Sequence, residues 1–246
     1  MLALALLVVA GLAAGLLNAV AGGGTFLTFP ALVWLGIPPV AANATATLSA
    51  LPGYLASAWA FRHDIRPEGA LGIRAMAALT VAGGLAGALL LMLTPDEVFA
   101  GVVPWLLLAA TLLFALGPRL VPLLAGGGLG PAGSALALFA VSVYGGYFNG
   151  GLGIMLLAAF SLMGFSNLHG MNGLKTAASA ILAIVVSVAY AAAGLIAWDS
   201  ALVLALATTV GGYLGGHWSR RIRNTAALRA GIVGIGAAMT LAFFLR

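Results

Sequence analysis

Long apolar runs, separated by short polar or glycine-rich stretches, occupy almost the whole chain. A membrane-spanning helix needs about 20 consecutive apolar residues. Six intervals reach or approach that length, at residues 40–61, 70–93, 98–116, 171–197, 201–218 and 228–245. The pattern therefore predicts six uninterrupted spanning helices.

Two further apolar segments are each interrupted by glycine near the middle. Residues 2–21 and 25–35 are separated by Gly22-Gly23-Gly24, and residues 134–148 and 154–165 by Asn149-Gly150-Gly151-Leu152-Gly153. Unpaired backbone groups are strongly unfavourable in lipid, so a broken helix survives only where it is buried in protein or lines a cavity. We interpret each segment as a broken, re-entrant helical hairpin.

Composition makes lipid the solvent for most of this surface. The chain has 246 residues, of which 63% are hydrophobic and only 6% are charged, whereas a soluble domain carries about 25% charged residues. A soluble protein is therefore excluded. The chain contains no cysteine, which excludes disulfides and thiolate metal sites. The formal net charge of +5 does not indicate nucleic acid, because the basic residues lie in short loops between apolar runs.

Those basic loops predict the orientation of the chain. Loops rich in Lys and Arg stay on the cytoplasmic side, and the cationic residues cluster at three places: Arg62, Arg66 and Arg74; Arg119; and Arg220, Arg221, Arg223 and Arg229. The loops at Asp96-Glu97 and Asp199 carry no cation, so we expect them outside. Counting membrane crossings between these points requires each broken segment to enter the membrane and return to the side from which it came. The first segment does so on the external side and the second on the cytoplasmic side. Two halves of opposite orientation are what inverted repeats require.

Sequence self-similarity supports the same division. Three landmarks recur in the same order at offsets of 128 to 131 residues: Asn18 before Gly22–Gly24 and Asn149 before Gly150–Gly153; Asn43 with Thr47 and Asn172 with Thr176; Gly83, Gly84 and Gly87 and Gly211, Gly212 and Gly215. We predict an all-α polytopic membrane protein. Residues 1–117 form the first repeat, 118–133 a Gly/Pro-rich cytoplasmic connector, and 134–246 the second, inverted repeat. Each repeat is a broken hairpin followed by three transmembrane helices.

Paired glycine interruptions in two halves are the best sequence indication of a transporter binding site. Half-helix N-termini present free amides and a positive dipole end to an anion. Lys175, the single lysine, lies inside a long apolar span, where a charge indicates function unless it reaches the interface. We predict a substrate site that holds a small anion, formed by Lys175, Asn18, Asn149, Asn43, Asn172, Thr176, Thr25, Gly23, Gly24, Gly151 and Gly153.

Several of these residues also have structural interpretations that the sequence leaves open. Asn18 and Asn149 could cap the helices that follow them, and the Asn and Thr side chains could form hydrogen bonds between helices. His169, in the loop before the span of Lys175, is a candidate for proton coupling or an interfacial residue. The paired glycines at 83–87 and 211–215 predict close helix packing.

The chain shows no catalytic signature. It has no Gly-x-Ser-x-Gly, no His-Glu-x-x-His, no Walker A motif and no pair of carboxylates within the spans. We therefore expect neither an enzyme nor a cofactor or metal, and transport would use a gradient.

The glycine breaks and the turn at 36–43 together resemble a known family. Asn18 to Thr25, the Gly36-Ile37-Pro38-Pro39 turn before Asn43, and the stretch from Gly150 to Thr176 are similar to the TauE/SafE sulfite exporter family, and the likeness covers both halves. It implies a multi-pass permease of the bacterial cytoplasmic membrane for sulfur-containing anions such as sulfite or organosulfonates, often by export. The Gly-Gly-Leu-Gly of the second half departs from the longer glycine run usual in that family.

The function that we predict is a secondary transporter of a small anion that works by alternating access, with lipid and the anion as its partners and no nucleic acid. An anion channel, or a membrane scaffold or assembly subunit without transport, is the alternative. The sequence leaves the anion, the direction, the coupling ion and a homo-oligomer open.

Overall fold

The computed structural model describes residues 1–20, 23–63, 65, 69–124, 128–219 and 225–245. Within those ranges every regular element is an α-helix, as the sequence predicted. The ten helices are α1 (Leu2–Val20), α2 (Thr25–Trp34), α3 (Pro39–Ala60), α4 (Ile73–Met92), α5 (Asp96–Leu124), α6 (Pro131–Tyr147), α7 (Leu152–Leu162), α8 (Leu168–Ala192), α9 (Trp198–Ser219) and α10 (Thr225–Phe244).

Proline and glycine set several of these boundaries. Pro39 and Pro131 occupy the first turns of α3 and α6, where the missing amide hydrogen is not needed. The short helices α2 and α7 are each followed, two residues beyond their last one, by a glycine with positive φ: Gly36 at +85° and Gly164 at +89°. Only glycine takes such angles without strain. Helix α5 continues to Leu124, so the first residues of the predicted connector 118–133 are helical.

Apolar side chains face outward as well as inward, as a lipid environment requires. Among the described residues, three helical segments are long and apolar enough to cross a membrane, namely Ile73–Met92, Asp96–Leu113 and Gly170–Ala192. Other helices also expose large apolar side chains; Leu206 on α9, for example, is 72% exposed. Polar residues are instead buried, as with Thr45 and Ser49 on α3.

Loop contacts divide the bundle into two ends. At one end, which we call the Asp96 end, the Asp96 carboxylate accepts a hydrogen bond from the Val40 amide, and the amide of Ala197 donates to Thr45. At the other end, which we call the Phe165 end, Gly69 packs against Phe165 and Met163. The amide of Leu129 also donates to Leu162 there, so the connector lies at the Phe165 end.

Glycine contacts then fix how the first hairpin enters the bundle. Gly11 of α1 packs against Ala207 of α9, and Gly15 packs against Thr208 and Gly212. Residue numbers therefore increase in the same direction along both helices, so α1 and α9 run parallel, away from the Asp96 end. Helix α2 leads back to Pro39 at the Asp96 end, so the first hairpin enters and leaves at that end.

The second hairpin enters from the opposite end. Gly83 of α4 packs against Ser142 of α6, and Gly87 packs against Val143 and Tyr147. Helices α4 and α6 therefore run in the same direction, away from the Phe165 end. Helix α7 returns to that end, where its last residue, Leu162, meets the connector.

The long helices pack around these hairpins, with α3 against α8 and α9, α4 against α8, and α5 against α7 and α10. Helix α3 crosses α8 through small side chains, because Ala50, Ala180 and Ala183 form one buried cluster with Tyr54. Small residues at such crossings let helix backbones approach closely. The crossing lies beside the second helix break, where the candidate site is found.

Candidate functional site

The first helix break is closed by its own asparagine. Asn18 is buried near the end of α1, and its side-chain oxygen accepts hydrogen bonds from the amides of Gly23 at 3.2 Å and Gly24 at 2.8 Å. Gly24 lies against the Ala14 backbone, which leaves no room for a side chain. Asn18 thus satisfies two backbone amides of the break, which lie just before α2 and would otherwise be buried without a partner.

The second helix break is built differently, although Asn149 holds the corresponding place in the sequence. Asn149 is only 2% exposed, and neither its side-chain oxygen nor its side-chain nitrogen has a hydrogen-bond partner among the described residues. The phenol of Tyr54, on α3, lies close enough to interact with the Asn149 side chain, although not in the geometry of a full hydrogen bond. Buried polar groups in proteins are nearly always hydrogen-bonded, so this amide is free to take a further partner.

Backbone amides add to the donors of the second break. Within the described chain, no acceptor contacts the amides of Asn149, Gly150, Gly151 and Gly153, all of which are buried. Gly151 begins α7 with a φ of +76°, and a Cβ there would lie 2.8 Å from the Cβ of Ala110. Both the backbone angle and the contact with α5 therefore require glycine at this position.

Three carbonyl oxygens of the second break, by contrast, already accept hydrogen bonds from side chains. The side-chain nitrogen of Asn43 donates to the Tyr147 carbonyl at 3.0 Å, and the Tyr144 phenol donates to the Gly150 carbonyl at 2.6 Å. The Tyr190 phenol, on α8, donates to the Gly146 carbonyl. Asn43 therefore does contact the second break, and its own side-chain oxygen is left without a partner.

The two breaks lie next to each other. The ring of Phe26, which follows Thr25 at the start of α2, is 3.8 Å from the position that a Cβ on Gly151 would take. Leu17 and Leu27, on either side of the first break, pack with Ile154 of the second. Thr25 is buried, and its hydroxyl has no hydrogen-bond partner among the described residues.

Lys175 forms a second polar group on α8. It is 4% exposed, and its ammonium donates to the side-chain oxygen of Asn172 at 3.0 Å. In the part of the chain that the structure describes, no carboxylate pairs with it. Thr176 bonds to the carbonyls of Asn172 and Gly173 within the same helix. The hydrogen bonds of the described residues do not join this group to either break.

Some predicted positions lie outside the described residues. These are Gly22, Arg66, the arginines at 220, 221 and 223, and the side chains of His169 and Arg229. Among the residues that are described, no group of three His, Asp or Glu side chains could hold a metal ion.

Sequence reasoning missed three tyrosines at the second break, Tyr54, Tyr144 and Tyr190. Tyr144 could have been found, because a phenol so close to a glycine break needs an acceptor and the break supplies carbonyls. Nothing in the sequence indicates the other two, since each reaches the break from a helix distant along the chain.

Comparison with known proteins identifies the family. The family model described as Sulfite exporter TauE/SafE matches residues 7–243. The chain is 33% identical over 178 residues to "Probable membrane transporter protein ORF9" from Sinorhizobium sp, and 32% identical over 170 residues to a "Probable membrane transporter protein" from Haemophilus influenzae. These alignments cover 71% and 66% of this chain but only 65% and 64% of the relatives.

A third relative is aligned over more of its length. "Probable membrane transporter protein YfcA" from Escherichia coli strain K12 is 28% identical over 251 residues, which is 92% of this chain and 84% of the relative. No solved structure matches the chain. None of these relatives is named as an enzyme, in agreement with the lack of catalytic motifs. With its apolar helices and a family match from residue 7 to residue 243, this multi-pass bacterial membrane protein belongs to the sulfite exporter TauE/SafE family.

Proposed function

We propose that the protein is a secondary transporter that moves a small anion, sulfite or an organosulfonate, across the cytoplasmic membrane. The observation that carries this proposal is the second helix break, where a fully buried Asn149 and four backbone amides have no partner within the described chain. Such a set of donors suits an oxyanion. The family name and the names of the relatives supply the transport function and the sulfur chemistry.

We infer that the chain consists of two inverted repeats, α1–α5 and α6–α10. In this division α1 corresponds to α6, α3 to α8 and α4 to α9. The packing of α1 against α9 then corresponds to that of α6 against α4, and the packing of α3 against α9 to that of α8 against α4. The other extensive pairs behave in the same way, apart from α3 with α5. The two hairpins also enter the bundle from opposite ends. A site at the interface of such repeats is the arrangement that alternating access uses.

Lys175 completes the proposed site as a source of positive charge. An ammonium that is buried without a carboxylate partner is unfavourable within a membrane span, and an anion in transit would offset that cost. Asn172 holds the ammonium in place at 3.0 Å. In this proposal, movement of one repeat against the other brings the α8 group towards the anion at the breaks.

Ligand-dependent stability tests the proposal. The purified protein would be heated with sulfite, thiosulfate, sulfoacetate, taurine, sulfate and small carboxylates. A ligand that binds only the folded state raises its stability by mass action, by about 2.7 kcal/mol at one hundred times the Kd. We expect at least one sulfur anion to raise the unfolding temperature, and Lys175→Ala to abolish the rise.

The alternatives give different results. A membrane scaffold without transport would show no shift with any of these anions. Shifts with carboxylates alone would reject the sulfur chemistry and leave the repeat architecture standing. Normal stabilisation of Lys175→Ala by the anion would reject the role of the lysine. An anion channel would bind too, and flux measurements in vesicles separate it from a transporter.

A further inference from the structure

The polar groups of the second break divide by charge. Its carbonyl oxygens at Gly146, Tyr147 and Gly150 each accept a hydrogen bond from a side chain, whereas the amides from 149 to 153, apart from that of Leu152, have no acceptor among the described residues. The Leu152 amide bonds to the Asn149 carbonyl at 3.3 Å. Three backbone carbonyls of the break are therefore covered by side-chain donors, whereas four of its backbone amides are left open.

This division matters because the site is buried within the bundle. A buried backbone group needs a partner from the protein, from water or from a ligand. Carbonyl oxygens are the usual ligands of sodium in transporters with broken helices. Here three backbone carbonyls already accept a side-chain hydrogen bond, so the backbone of the break offers a ligand mainly N–H donors.

The first break serves as an internal comparison. There the chain provides its own acceptor, because the side-chain oxygen of Asn18 bonds to the amides of Gly23 and Gly24. Asn149 stands 131 residues later and makes no such bond. At the first break a side-chain oxygen thus acts as the acceptor for the backbone amides. At the second break no described side chain does so.

We propose that the anion binds at the second break alone, on the free amides of residues 149–153 and the Asn149 side chain. Asn43, Tyr144 and Tyr190 are specificity-determining residues, because they cover the carbonyls that would repel an anion and attract a cation. This rests on the proposed function, since it assigns the transported anion to one of the two breaks.

Sulfite affinity in phenylalanine variants tests the role of the tyrosines. Tyr144→Phe and Tyr190→Phe each uncover one carbonyl without changing the ring, and we expect each to weaken sulfite binding about tenfold, the size of one lost hydrogen bond. Tyr147→Phe is the matched control, because the structure gives that phenol no carbonyl of the break as partner, and its affinity should stay within about twofold. If Tyr144→Phe and Tyr190→Phe bind sulfite as tightly as the Tyr147→Phe control, the specificity role of Tyr144 and Tyr190 is overturned.

Sodium provides a second readout from the same variants. The unfolding temperature of the wild type should be the same in sodium and N-methylglucamine salts. The two variants with an uncovered carbonyl should gain a sodium-dependent rise, which a mere loss of stability would not produce. Absence of that rise in both variants would contradict the account of charge selectivity.

Iodide binding tests the site independently of sulfite. Crystals of the wild-type protein soaked in sodium iodide should show anomalous density at residues 149–153 and none at residues 18–25. Density at the first break, or at neither break, would overturn the proposal even if sulfite binds elsewhere. If iodide occupies the second break but sulfite does not bind, the sulfur substrate is wrong and the anion site stands.

Discussion

Replacing the two asparagines at the helix breaks by leucine should have opposite consequences. Asn18→Leu removes the acceptor that bonds to Gly23 at 3.2 Å and to Gly24 at 2.8 Å. Asn149→Leu removes an amide that has no hydrogen-bond partner among the described residues. Leucine has nearly the shape of asparagine, so the comparison isolates the polar groups.

The size of each effect follows from these contacts. A buried amide left without a partner costs about 1–3 kcal/mol, so two such amides cost Asn18→Leu about 2–6 kcal/mol of unfolding free energy. At roughly 2–4 °C per kcal/mol for a chain of this size, its unfolding temperature should fall by about 4–24 °C. Asn149→Leu replaces an unpaired buried polar group by an apolar one, which should leave stability unchanged or raise it.

Thermal unfolding in one detergent, without added anion, measures both variants. Both variants should be heated at the same scan rate, because irreversible unfolding makes the apparent unfolding temperature depend on that rate. A loss of stability in Asn149→Leu equal to that in Asn18→Leu would refute the reasoning, since it would mean that Asn149 also satisfies backbone amides.

Three further substitutions test other parts of the structure. Gly87→Ala should lower stability by about 1–3 kcal/mol, because the new Cβ would collide with the Val143 carbonyl. Gly101→Ala is the control: the position is in open space, so alanine should raise stability by up to about 1 kcal/mol through helix propensity. Equal unfolding temperatures for the two variants would contradict the packing at Gly87. Thr208→Val should cost about 1 kcal/mol, because the hydroxyl donates to the Ser49 carbonyl at 2.6 Å between α9 and α3; no change in unfolding temperature would count against that bond. Lys175→Met should be as stable as the wild type without ligand, because it removes a buried charge that has no carboxylate partner. A clear drop in its unfolding temperature would show that the hydrogen bond to Asn172 outweighs the cost of burying the charge.

Hydrophobic periodicity predicted most of the fold. Both glycine breaks, at 22–24 and 149–153, were visible in the sequence because glycine interrupts an apolar run that lipid would otherwise keep helical. The end of α5 was missed: Gly117 and Pro118 favoured a connector, yet the helix continues to Leu124. Local propensity is a weak guide once a helix is long and packed.

The glycine stripes show the limit of sequence matching. By spacing, Gly83 pairs with Gly211. In the structure Gly211 packs against the Leu12 carbonyl and Gly87 against the Val143 carbonyl, and Leu12 and Val143 are 131 residues apart. If α1 and α6 are counterparts, Gly211 corresponds to Gly87, one helical turn from the predicted partner. A stripe of small residues looks the same after a shift of one turn, so only contacts resolve the register.

The sequence named candidate residues for the site but not how they are arranged. It pointed to Asn18 and Asn149 equally, and only hydrogen-bond geometry separates the first, which bonds to two amides of its break, from the second, which does not. Tyr190 reaches Gly146 from 44 residues away, a contact that no local pattern encodes.

Counterflow in reconstituted vesicles tests the central claim most directly. Vesicles containing the purified protein would be loaded with unlabelled sulfite, and uptake of labelled sulfite would be followed at increasing external concentrations. Our account predicts saturable uptake that internal sulfite accelerates and that Asn149→Leu abolishes. Uptake that rises linearly with concentration and ignores internal sulfite would indicate a channel, and uptake that persists in Asn149→Leu would contradict the proposed site.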